Sequence, residues 1–130
     1  MSNRNILMSA GMLGFVAVIL GAFGAHALKA NLEPGALESY TTGVRYQAWH
    51  SIALLAISFS PENFPLKKRV FQCWLIGIIL FSGSIYLLSL DALMNTDLSV
   101  LGPVTPIGGL FLILGWFLIF WGSFRYSDYR

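Results

Sequence analysis

Charge is scarce in this sequence: 11% of its 130 residues are Asp, Glu, Lys or Arg, against roughly a quarter in an ordinary soluble domain. The net charge is +2 and the only basic run is Lys67, Lys68 and Arg69, so no basic face follows a phosphate backbone and no nucleic-acid partner is expected. Cysteine is scarcer still. Cys73 stands alone in an apolar stretch, which excludes an internal disulfide and any CxxC site and leaves it a small hydrophobe. No acidic residue falls well inside an apolar run, Asp91 coming nearest, so the buried carboxylate of small proton-coupled exporters is missing. Glycine-rich phosphate loops, nucleophile elbows and HExxH are absent as well. Hydroxyls exist at Ser39, Ser51, Ser82, Ser84 and Thr105, but a serine nucleophile needs a positioned base and an oxyanion hole. No catalytic residue, cofactor or metal is assigned.

Apolar side chains make up 56% of the chain and gather in four runs, near 6–28, 41–60, 70–90 and 105–124. Each approaches the ~20 residues that cross a hydrocarbon core. The expectation is an all-α fold, a four-helix transmembrane bundle forming a single integral membrane domain over 1–130. In the second run only Ser51 to Phe59 is purely apolar, so a crossing there must recruit Arg45, Tyr46, Gln47 and His50. Glu33-Pro34 reads as a helix start, which allows one long helix from about Pro34 whose early turns, 34–45, lie at the interface. Arg4, the first apolar run and Ala25-His26-Ala27 resemble a cleavable leader. That run exceeds the ~7–15 residues of a leader core, and the expectation is that it is retained.

Basic residues set the orientation. With four crossings, Arg4, Lys67, Lys68, Arg69, Arg125 and Arg130 share one side, and only Lys29 and Arg45 lie on the other. Both termini are therefore expected in the cytoplasm. In lipid, helices pack through small residues, and the candidates are Gly14, Gly21, Gly77, Gly83 and the row Gly108, Gly115, Gly122. Such a row makes a groove for a neighbouring helix of the same bundle or of a second copy, so a homo-oligomer stays open.

At 100° per residue, Gly43, Tyr46, Gln47, His50, Leu54 and Ile57 fall on one stripe of the second helix. Arg45 points the other way, where an ion pair with Glu38, Asp91 or Asp97, or a cation–π contact with Trp49, would anchor it. Counting along the runs puts His26 and His50 both in the outward half, close enough to meet. Two imidazoles can relay a proton or share a metal, yet no HxxxH, HxxE or cysteine accompanies them, and two ligands do not fill a zinc or copper shell. The alternative is that each ring satisfies a backbone carbonyl or a side chain such as Tyr46, Gln47 or Tyr86.

Four ordered motifs carry a resemblance: Gly21-Ala22-Phe23-Gly24-Ala25-His26-Ala27-Leu28-Lys29, Tyr46-Gln47-x-x-His50, Leu80-Phe81-Ser82-Gly83-Ser84-x-Tyr86, and Thr105-Pro106-Ile107-Gly108-Gly109 followed by Gly115-Trp116. Over nearly its whole length the chain resembles the small DUF423 membrane-protein family, the YgdD-like and YwdK-like proteins of bacteria, and is similar to animal transmembrane protein 256. The resemblance implies a multi-pass protein of the bacterial plasma (inner) membrane with no established biochemical activity. The polar stretch Glu38 to Arg45 departs from the more apolar, tryptophan-containing version expected there, which leaves the second helix start open.

Three functions follow, in descending order. The first is a non-enzymatic membrane component that binds a lipid, a small molecule or a protein partner through an outward-side polar pocket drawn from His26, Arg45, Tyr46, Gln47, His50, Ser82, Ser84, Tyr86 and Thr105. The second is a small transporter or channel with a path past His50 and Ser84, and the third a histidine-dependent enzyme or metal site.

Overall fold

The structure is a computed structural model and describes residues 2–125, so Arg130 lies outside the described residues. Among those residues the regular structure is entirely helical, with four long helices: α1 (Asn3–Phe23), α2 (Pro34–Ser58), α3 (Lys67–Leu90) and α4 (Val104–Arg125). A wide π-turn, Gly24–Leu28, continues α1, and a short 3₁₀ turn, Ser99–Leu101, precedes α4.

Local chemistry explains where the helices begin and end. Pro34 occupies the first turn of α2, where its fixed φ suits the helix and its missing N–H costs nothing. At the other end the Ser58 and Ser60 hydroxyls donate to the carbonyls of Leu55 and Ile57 at 2.6 and 2.8 Å, and the Ser60 amide joins its hydroxyl on Ile57 O at 3.1 Å, so that the last turn's carbonyls are satisfied locally. Leu66 then adopts a left-handed backbone, φ 65°, an uncommon state for a side chain of that size, and turns the chain into α3. Before the 3₁₀ turn, Asp97 accepts the Ser99 amide at 2.9 Å, which holds its carboxyl below the usual carboxylate range.

Consecutive helices are neighbours: α2 packs on α1 and α3, and α4 on α3. The α1–α2 register is fixed by Tyr40, whose hydroxyl donates to Leu20 O at 3.0 Å, and by Gln47, whose Nε2 donates to Leu13 O at 2.9 Å. Glycines make the α3–α4 seam. A Cβ on Gly77 would meet the Leu112 side chain, one on Gly108 the backbone of Leu80 and Phe81, one on Gly115 the Trp74 indole, and one on Gly122 the Pro65 carbonyl. The Gly108, Gly115, Gly122 row is therefore spent inside the chain rather than offered to a second copy. Gly83 has open space around it and makes no close helix contact, a correction to its expected packing role.

The buried core holds Ile6, Leu54, Val70, Trp74, Ile78 and Leu112. Outside it, Met12, Phe15, Val18, Ile79, Ile113 and Phe120 are exposed, the arrangement of a bundle whose solvent is acyl chain. Three segments, Asn3–Leu28, Lys67–Leu90 and Ser99–Arg125, are long and apolar enough to cross a membrane. Helix α2 is as long as its neighbours but carries the polar stretch Glu38 to Arg45 in its first half.

One end of the bundle is basic. Lys67 Nζ donates to Asn3 Oδ1 at 2.6 Å and to Ser60 O at 2.7 Å, tying together the starts of α1 and α3 and the end of α2. Since α4 reaches Pro65 at Gly122, Arg4, Lys67, Lys68, Arg69 and Arg125 gather at this end.

Candidate functional site

The predicted polar residues divide into a knot at mid-bundle, a cleft at the end opposite the basic one, and two outliers. His50, 4% exposed, is the centre of the knot. Its Nδ1 lies 2.8 Å from Tyr46 O, and its Nε2 faces Trp116 Nε1 at 3.1 Å. An indole N–H only donates, so Nε2 supplies the lone pair and the ring proton sits on Nδ1. The imidazole is neutral, with both nitrogens engaged, and Trp74 and Trp116 meet it edge-on at 5.9 and 6.1 Å between centroids. No lone pair is left for a metal. Among the described residues no group of three or more His, Cys, Asp or Glu gathers to hold one.

Gln47, 3% exposed, links three helices. Besides donating to Leu13 O, it accepts the Tyr86 hydroxyl on Oε1 at 2.8 Å. Above it Ser82 donates to Gly43 O at 2.8 Å, and the Ser84 and Thr105 hydroxyls lie 2.7 Å apart.

His26 is exposed on the π-turn. The contacts of Tyr40 with Leu20 and of Gln47 with Leu13 set the antiparallel register, and at 1.5 Å per residue they place the two histidines about 24 Å apart along the bundle. They do not meet, and His50 lies past the midpoint of α2 on the side of the basic end. The reason is that α2 starts at Pro34, so each of its residues sits deeper than a start at Thr41 implies. Arg45 forms neither the expected ion pair nor the cation–π contact among the described residues. It lies exposed in a shallow groove with Pro34, Leu37, Glu38, Thr41 and Thr42, its chain running toward the helix start as helical side chains do.

These placements separate the two histidines experimentally. His26→Ala is expected to leave thermal stability within about 0.5 kcal/mol, whereas His50→Ala, which strands the Trp116 indole N–H, is expected to lose about 1–3 kcal/mol. Melting of detergent-solubilised protein checks this, and elemental analysis of both variants against wild type is expected to find no difference in metal content.

The cleft has a volume of about 460 Å³ and is lined by Gly35, Ala36, Ser39 and Thr42 of α2, Ile85, Leu88 and Ser89 of α3, and Thr105 of α4. Ser89 is 4% exposed, and its Oγ is the one buried side-chain polar atom without a hydrogen-bond partner among the described residues. A stranded polar atom of this kind calls for an explanation. Sequence reasoning missed Ser89 and Trp116 as participants. Seven residues separate Ser82 from Ser89, which puts both on one helix face, and an indole N–H in a lipid-facing helix needs an acceptor; those were the available signals.

The family model "Protein of unknown function (DUF423)" matches residues 20–109. The chain is 40% identical to a UPF0382 membrane protein of Haemophilus influenzae over 126 residues, covering 96% of this chain and 97% of the relative. It is 38% identical to the UPF0382 membrane protein YwdK of Bacillus subtilis, covering 85% and 89%. Against the UPF0382 inner membrane protein YgdD of Escherichia coli it is 34% identical, covering 96% and 93%. No solved structure matches.

Proposed function

This chain belongs to the DUF423 family of small membrane proteins, and from that footing we propose that it is a non-enzymatic component of the plasma membrane that holds a lipid or small amphiphile in its hydroxyl-lined cleft. The observation that carries the reading is the Ser89 hydroxyl, buried in the cleft wall and without a hydrogen-bond partner among the described residues. In a membrane a polar atom is not left to hydrocarbon without cost, and a ligand head supplies the partner. The volume falls in the roughly 300–1,000 Å³ range of small-molecule sites, and Ile85 and Leu88 offer apolar wall for a tail.

With the basic end in the cytoplasm, the cleft opens toward the outer leaflet, and α2 crosses between α1 and α3. Its polar first half then supplies the cleft and the groove of Arg45. A conduction path past His50 and Ser84 is the weaker reading, because His50 is packed between two indoles with both nitrogens engaged.

Native mass spectrometry of protein extracted from its own membrane tests the proposal. Wild type is expected to carry a bound lipid or amphiphile, and Ser89→Leu, which fills the wall, to lose it at least tenfold while keeping its melting temperature within a few degrees. Ser39→Leu, at the exposed rim, serves as a second variant should the first not fold. A wild type without an adduct, or adducts equal in folded variant and wild type, overturns the reading.

A further inference from the structure

Resting on the cleft as a binding site, we infer that the head it takes is an anion of the phosphate type, carried by a lipid and held by backbone amides and the Ser89 hydroxyl without a basic side chain. Two of the donors belong to the first turn of α2. The amides of Gly35 and Ala36 have no hydrogen-bond partner among the described residues. The Glu33 side chain makes no capping bond, and the first amide of the helix to find a carbonyl is that of Leu37, on Glu33 O at 3.0 Å. Gly35 and Ala36 both line the cleft. The third donor is Ser89 Oγ, on a residue 4% exposed and without a partner among the described residues. The bond from Ser82 to Gly43 O brings it level with the amides, since seven residues on from Ser82 is Ser89 and seven back from Gly43 is Ala36. Two free amides and a buried, unspent hydroxyl therefore meet across the α2–α3 seam, and all three have a proton to give.

Charge decides which acceptor suits them. The first turn of α2 is the positive end of a helix dipole. A second positive end enters the same lining, because Thr105 is the second residue of α4. Neither helix has an acidic residue in its first turn, so neither end is neutralised from within. The negative end of α3 opposes them, but its terminal carbonyls at Leu90 and Asp91 are already covered: both accept the Met94 amide, and Asp91 O also accepts that of Thr96, each at 3.1 Å. No carboxylate lines the cleft to repel an anion or to hold an ammonium. A hydrogen bond to an ionised oxygen is roughly twice as strong as one to a neutral oxygen, and a phosphate presents several such oxygens to donors arriving from two helices. Gly35 and Ser39 are exposed, which keeps the charge in touch with water and limits its desolvation cost. Ile85 and Leu88 add apolar wall, which a lipid uses and a free phosphate does not.

The test takes the full chain in dodecyl maltoside, a detergent without phosphate or charge, and reads binding by native mass spectrometry. The probes are lauroyl lysophosphatidic acid, monolauroylglycerol, which shares the tail and lacks the phosphate, and inorganic phosphate as competitor. A Cβ on Gly35 would meet nothing within 4 Å, so Gly35→Asp sets a carboxylate beside the free amides without a clash, at a helix end that favours it. Lysophosphatidic acid is expected to bind saturably, at least tenfold tighter than monolauroylglycerol. Gly35→Asp is expected to weaken it at least tenfold, Gly35→Asn to leave it close to wild type, and Ser89→Ala to weaken it at least fivefold, all three variants melting near the wild-type temperature. Monolauroylglycerol binding as tightly as the phosphate compound, or lysophosphatidic acid indifferent to Gly35→Asp, overturns the anion inference; a loss of either lipid in Ser89→Ala then leaves the cleft reading standing. Inorganic phosphate is expected not to displace the lipid at equal concentration, and displacement overturns the assignment to a lipid in favour of the free ion. Where no probe binds, the inference falls, and the native adduct of the previous experiment decides separately whether the cleft reading falls with it.

Discussion

Gly108→Ala is expected to lower thermal stability by about 2 kcal/mol or more, the range of overpacking a close-packed contact, and Gly108→Leu to prevent recovery of monodisperse protein. A Cβ at this position runs into the Phe81 amide nitrogen and comes within 2.8 Å of both Leu80 C and Phe81 Cα. These are backbone atoms inside a helix, so no rotamer relieves the clash, and α3 and α4 must separate. Alanine gains about 1 kcal/mol of helix propensity over glycine, which offsets part of the loss. Gly83→Ala isolates that gain, because a Cβ there meets nothing within 4 Å; it is expected to melt at or slightly above the wild-type temperature. Unfolding in detergent, followed with size-exclusion profiles, decides the matter, and a Gly108→Ala protein that melts with wild type would show that the seam is not the close contact described.

The second large effect belongs to Gln47. Replacing it by leucine removes the extra donor to Leu13 O, which keeps its own bond within α1, and strands the Tyr86 hydroxyl proton, whose acceptor is Gln47 Oε1. Water is not at hand to replace them at this depth, and the expected loss is about 1–3 kcal/mol, the upper part of what interhelical hydrogen bonds contribute in membranes. The pair is separable from general packing by a double-mutant cycle. Tyr86→Phe is expected to cost less in the Gln47→Leu background than in wild type, because the hydroxyl it removes has already lost its partner. Strict additivity of the two losses would show that the bond carries no coupling.

The all-α, four-helix architecture was legible because apolar runs of crossing length leave the backbone one way to satisfy itself. So was the face of α2 that turns inward: Gly43, Gln47, His50, Leu54 and Ile57 are all buried, as their spacing requires. Depth was the harder quantity. Glu33-Pro34 marked the start of α2, as observed, but the polar stretch Glu38 to Arg45 led the crossing to be counted from Thr41, and a count begun several residues late misplaces every side chain along the bundle. Counted from Pro34, His50 moves away from His26 and toward Trp116. The partners of single atoms were less legible still. Whether Ser89 bonds its own helix or faces an empty cleft depends on a hydroxyl rotamer and on neighbouring helices, neither of which has a period in sequence.

The Lys67 clasp bears on how the bundle comes apart. Its side chain is 6% exposed, and its two hydrogen-bond acceptors are neutral, one at the start of α1 and one just past the end of α2. Undocking α1 takes away one acceptor, and fraying the end of α2 takes away the other, each time leaving a full charge underbonded in a site with little access to water. The basic ends of α1, α2 and α3 are thereby made to open together, and a local opening at that end becomes a cooperative one.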